Sequence, residues 1–184
     1  FNPVQENTYV LWDESGECAI VDPGCLNDKE FEKLDAFIKT KNLKPVKLIN
    51  THGHFDHIFG VEKCREAYNL IWEAHHGDNA WIEGVQAKAA LFGLMVQSVA
   101  LPEVELNEGD IVSFGNTTLK IFHVPGHSPG SICFYDEKSK VVITGDVLFN
   151  GSIGRTDLDG GSYETLISGI KTKLLSLPNE VLVF

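Results

Sequence analysis

Residues 51–57 read Thr51-His52-Gly53-His54-Phe55-Asp56-His57. Four metal-binding side chains, His52, His54, Asp56 and His57, fall within six positions. Imidazole and carboxylate together suit zinc, iron or manganese, whereas a thiolate-rich set would point to structural zinc. Just upstream, Val46-Lys47-Leu48-Ile49-Asn50 is a short apolar run bounded by Pro45, and it reads as a buried strand. Side chains alternate at a strand end, so His52 and His54 are expected to point one way. Asp56 and His57, adjacent in sequence, are expected to diverge slightly. That arrangement suits two neighbouring metal positions.

Outward from this cluster, Tyr9 to Trp12 and Ala19 to Val21 read as strands joined across a turn near Gly16. Asn27 is a candidate helix N-cap with Glu30 three residues on, and Phe31, Leu34, Phe37 and Ile38 recur at helical spacing over 28–41. Helices are also expected at 61–68, through much of 78–97, and at 163–177 with Leu166, Ile167, Ile170 and Leu174 on one face. Strands are expected near 70–73, 111–114, 117–123, 131–135 and 140–144. Those at 117–123 and 140–144 deliver His127 and Asp146 to the edge that carries His52–His57. Ligands held at strand ends are rigidly positioned.

These elements resemble the metallo-β-lactamase fold superfamily, and within it the glyoxalase II-like (hydroxyacylglutathione hydrolase) branch. The resemblance covers nearly the whole chain and rests on four stretches in order. They are Val21-Asp22-Pro23-Gly24, the His52–His57 cluster, Gly126-His127-Ser128-Pro129-Gly130-Ser131, and Thr144-Gly145-Asp146. It implies an α/β fold, a four-layer αββα sandwich, as one domain over 1–184. It also implies that His52, His54 and His127 hold one metal, that Asp56 and His57 hold a second, and that Asp146 bridges them. Asp22 is implied to hydrogen-bond the ligand loop and fix its orientation. Two divalent metals are expected, zinc foremost, with iron or manganese as alternatives.

Composition narrows the partners. The formal net charge is −11 with no Lys/Arg cluster, which argues against nucleic acid. No apolar run is long enough to cross a bilayer, and no membrane partner is expected; the resemblance implies a small-molecule substrate, and the sequence is silent on oligomeric state. Cys18, Cys25, Cys64 and Cys133 form no C-x-x-C pair and read as free, buried thiols in a reducing, cytoplasmic setting. The chain starts at Phe1 and runs to the apolar strand Val181-Leu182-Val183-Phe184. In the resembled family a strand here leads into a Gly-His-Gly loop whose histidine completes the second metal set. The chain is therefore expected to be truncated at both ends.

Among the remaining residues, Gly154-Arg155-Thr156-Asp157 offers two readings. Arg155 binds a substrate carboxylate, or Arg155 and Asp157 pair and pin a loop beside the metals; the second is favoured. His75 and His76 are read as surface residues and His123 as strand packing. The leading functional expectation is a binuclear metallohydrolase acting on a thioester of the S-acylglutathione type. A hydroxide generated between the metals attacks the acyl carbon, and Asp56 serves as ligand and orients it. One alternative is a mononuclear iron persulfide dioxygenase, with two histidines and Asp146 as a facial triad. Another is a non-catalytic metal-binding domain of the same fold. A β-lactamase is expected less, because no cysteine stands near the Asp146 position.

Overall fold

Strands buried on both faces read as near-continuous apolar runs, and this chain places such runs in two separate sheets. The computed structural model describes residues 1–184. The first sheet has the order β1-β2-β3-β4-β5, built from Tyr9–Trp12 (β1), Glu17–Val21 (β2), Lys44–Ile49 (β3), Trp72–Ala74 (β4) and Val104–Glu105 (β5). Only its β1–β2 pair is antiparallel. The second contains Ile111–Phe114 (β6), Thr117–His123 (β7), Ile132–Asp136 (β8) and Val141–Ile143 (β9) as an antiparallel meander. A hairpin follows, Leu148–Phe149 (β10) with Ser152–Ile153 (β11), and Leu182–Val183 (β12) then adds in parallel beside β9.

Alternation along the strands sorts the side chains into three apolar layers. Ala19, Val21 and Ile49 face Val112, Leu119, Ile121, Ile132, Phe134 and Ile143 between the sheets. Ile20, Leu48 and Trp72 turn the other way, onto the helices Asp28–Thr40 (α1), Phe55–Ile58 (α2), Val61–Tyr68 (α3), Asn79–Glu83 (α4) and Val85–Leu91 (α5). On the far side Cys133, Tyr135 and Val142 pack against Leu166, Ile170 and Leu174 of Tyr163–Gly169 (α6) and the π-type turn that continues it through Leu174. Each fully buried Val, Leu, Ile or Phe among them contributes about 1.5–3 kcal/mol of transfer free energy. The result is helix, sheet, sheet, helix: the expected αββα sandwich.

Several expectations shift in detail. α1 starts where the N-cap rule puts it, with Asn27 Oδ1 accepting from the Glu30 backbone N–H at 3.1 Å. The reciprocal half of a capping box is not made, because Glu30 instead accepts from the backbone N–H groups of Leu26 and Asn2. The helical stretch foreseen over 78–97 divides at Gly84 into two short helices, and Gly93, at φ +73°, closes the second. In the last helix Ile167 is only half-buried. Ser162 caps it by accepting from the Thr165 N–H. The four cysteines are free and buried, and burial raises all their thiol pKa values, those of Cys18 and Cys25 to about 12. No helix is long and apolar enough to cross a membrane.

Candidate metal centre

Loops leaving β2, β3, β7 and β9 meet at one edge of the sandwich. The loop after β3 carries His52 and His54, and α2 carries Asp56 and His57. The loop after β7 carries His127 and the turn after β9 carries Asp146. His52, His54, His57 and His127 are 2–5% exposed. Ring centroids lie 4.7 Å apart for His52 and His54, 4.9 Å for His52 and His127, and 4.5 Å for His54 and His127. Donor atoms of these three histidines all fall within 4.8 Å of one another.

The Nε2 atoms of His52, His54 and His127 are buried and have no hydrogen-bond partner. A buried polar atom without a partner costs about 1–3 kcal/mol, so three converging on one point need a common occupant. The opposite ring nitrogens fix the tautomers. His127 Nδ1–H donates to the Arg155 carbonyl at 2.8 Å. Thr51 Oγ1 donates to Asp22 Oδ2 at 2.6 Å, so its lone pair accepts from His52 Nδ1–H at 3.0 Å. Both Nε2 lone pairs are thereby turned inward. Burial, reinforced by the neighbouring histidines, holds His52 well below the ordinary imidazole range and depresses His54 to about 3. Neutral imidazoles are the form that binds a metal, so the donor set fits a divalent cation.

His57 occupies a different setting. Its Nδ1–H donates to Asp22 Oδ2 at 3.0 Å, and its Nε2 lies 3.7 Å from Asp56 Oδ2 and 3.4 Å from Asp146 Oδ1. The other oxygen of Asp146 is 3.5 Å from His127 Nε2. One carboxylate thus spans the two groups of histidines. Burial would depress His57, but Asp146 and Asp22 outweigh it and raise its pKa well above the ordinary value. Asp146 is lowered, because its contacts with His57 and the charges of His57 and His127 overcome burial. Asp56 is raised by burial. The expected divergence of Asp56 and His57 is not seen. They sit on a helical turn rather than an extended loop end, so they converge.

Asp22 is fully buried at φ +50°, and both its oxygens are engaged. Oδ1 accepts from Thr51 N–H at 2.7 Å, and Oδ2 accepts from Thr51 Oγ1 and His57. Asp22 therefore orients the histidines, although its oxygens also lie near the donors of His52 and His57. Gly145, at φ +51°, brings the Asp146 turn against Thr51; a Cβ there would stand 2.3 Å from Thr51 Oγ1. Arg155 and Asp157 form the foreseen pair, Nε to Oδ1 at 2.7 Å and Nη2 to Oδ2 at 2.9 Å.

Sequence reasoning missed Asp78, which is 1% exposed. Its carboxylate accepts from Gly53 N–H at 2.8 Å, Gly130 N–H at 2.7 Å and Ser128 Oγ at 2.7 Å. It clamps the His52–His54 loop to the His127 loop, and a Cβ at Gly53 would come within 2.7 Å of it. Its partners are mostly backbone groups, which leave no residue-type signal. The reading of His75 as a surface residue is corrected. His75 is buried, its ring stacked 4.1 Å from His123 and 4.6 Å from His76, because it ends the interior strand β4. His76 is exposed.

Residues 1–184 match the family described as the metallo-beta-lactamase superfamily. The chain is 39% identical over 181 residues to hydroxyacylglutathione hydrolase GloC of Haemophilus influenzae, covering 97% of this chain and 84% of that protein. It is 39% identical over 182 residues to the probable metallo-hydrolase YqgX of Bacillus subtilis, covering 98% and 84%. Among solved structures, a di-iron-bound form of TTHA1623 superposes with a TM-score of 0.88 at 38% identity, covering 100% of this chain and 88% of that one. The B3 metallo-beta-lactamase BLEG-1 superposes with a TM-score of 0.89 at 36% identity, covering 100% and 87%. The chain belongs to the metallo-beta-lactamase superfamily.

Proposed function

We propose that this metallohydrolase is binuclear and cleaves thioesters. His52, His54 and His127 would hold one metal, Asp56 and His57 the other, and Asp146 would stand between them. The observation that carries the reading is the convergence of three buried, unpartnered Nε2 atoms beside a second group built on His57. Two divalent metals, zinc foremost, supply a water of near-neutral pKa and Lewis acidity toward a carbonyl oxygen.

The chain's own residues do the rest. Asp22, Thr51 and the Arg155 carbonyl keep the imidazoles in one tautomer. Asp56 accepts a hydrogen bond from the attacking water and orients it. A thiol leaving group, with a pKa of about 8.5, departs without a strong general acid. Similarity to a hydroxyacylglutathione hydrolase supports the thioester, and the Asp56–His57–Asp146 group supports two metals over the single iron of a persulfide dioxygenase.

Hydrolysis of a β-lactam amide is the second reading, carried by the likeness to BLEG-1. Elemental analysis of the purified protein, followed by parallel thioester and β-lactam assays, tests both. About two metals per chain with turnover of an S-acyl thiol is the expected result. One iron per chain with oxygen uptake on a persulfide would overturn the hydrolase, and turnover of the β-lactam alone would select the second reading.

A further inference from the structure

His54, Asp56, His127 and Asp146 line a cavity of about 310 Å³. One wall is apolar, with Trp81, Leu91 and Phe92. Phe92 packs on Phe55 at 4.9 Å, next to Asp56, and Trp81 sets its edge against His54 at 4.4 Å. The chain is strongly acidic, yet this wall also carries Lys88. Lys88 and Arg155 are the only Lys or Arg side chains that line either of the two cavities flanking the donors. Arg155 is held in a fork by a neighbour two residues away. Lys88 is held differently. Its ammonium lies 4.1 Å from the centroid of the Trp81 ring and makes one ion pair, at 2.6 Å, with Asp159. Asp159 is 83% exposed in its side chain, comes from 71 residues along the chain, and accepts the Trp81 indole N–H through its carbonyl.

An ion pair between an exposed carboxylate and a lysine is worth about 0–1 kcal/mol, so a second carboxylate can take its place at little cost. The Trp81 ring keeps the ammonium over the cavity when Asp159 lets go. We infer that Lys88 is a specificity-determining residue, which releases Asp159 to bind a carboxylate carried by the thioester substrate while the apolar wall receives the rest of the molecule. The inference rests on the thioester reading above for the reaction, and on the cavity alone for the binding.

The test uses two stable thioethers, 3-(benzylthio)propanoate and its carboxamide, titrated calorimetrically into the zinc-loaded protein. The carboxylate should bind about tenfold more tightly than the amide, the size of one charge-assisted hydrogen bond. Lys88→Gln should bring that ratio close to one, Lys88→Arg should keep it, and Asp159→Asn should raise it by removing the competitor. A ratio unchanged by Lys88→Gln overturns the inference. Kinetics on S-acetyl-3-mercaptopropionate and its amide separate the two readings. Hydrolysis of both esters with no preference overturns the role of Lys88 alone. A binding preference with no hydrolysis of either overturns the thioester reaction and leaves Lys88 standing.

Discussion

The two halves of the donor cluster are built on opposite principles. His52, His54 and His127 form a buried cage: burial suppresses the protonation of His52 and His54, and nothing in the protein satisfies the three inward nitrogens. His57 stands among carboxylates that hold a proton on it, and Asp146 is the most open of the donors, with a side-chain exposure of 31%. The first half is preorganised for a cation. The second is already occupied by an internal ion pair, which a cation must displace. If each half holds a metal, as proposed, binding strength and acid sensitivity should differ between them.

Replacing donors one at a time tests this most severely. His54→Ala should cut turnover at least about a thousandfold and strip metal from the cage, since even partners outside the ligand set cost about 10–100-fold in affinity. His57→Ala should leave the cage loaded and remove one equivalent only. Loss of both metals in His57→Ala, read by elemental analysis, would erase the distinction between the halves.

Asp78→Ala probes what keeps the cage rigid. It leaves two buried N–H groups and a hydroxyl without their acceptor, at about 1 kcal/mol or more each. We expect a loss of about 3 kcal/mol in urea unfolding of the metal-free protein. Metal affinity should weaken at the cage before it weakens at His57. An unchanged unfolding midpoint would show that the two ligand loops do not depend on each other.

The mildest test is acid. A proton and a metal compete for the same imidazole nitrogen. His57, with its raised pKa, takes up its proton at a higher pH than His54, whose pKa is about 3. Equilibrium dialysis from neutral pH downward should therefore show metal leaving in two steps, the His57 position first. A single step would make the two halves one cooperative unit.

Much of the frame was legible because burial on two faces leaves long apolar runs, and because four donors crowd into His52–His57. Their partners His127 and Asp146 sit just past the strands expected near 117–123 and 140–144, which form as β7 and β9. Four features escaped. Asp78 works through backbone amides. The single turn of α2 is too short for helical periodicity, so Asp56 and His57 seemed to splay apart. The β10–β11 hairpin carries only a short signal, the Asn150-Gly151 pair with Gly151 at φ +79°, between strands of two residues each. The burial of His75 depends on rings brought in from β7, and no local pattern encodes it.

Arg155 meets the cluster through its carbonyl and also lines the cavity, its guanidinium paired with Asp157. Every amino acid supplies that carbonyl, whereas only the side chain shapes the mouth. The hydrogen bond that sets the His127 tautomer therefore survives any side chain at position 155 that leaves the loop in place, so one residue serves the donor cluster and the cavity lining through separate parts.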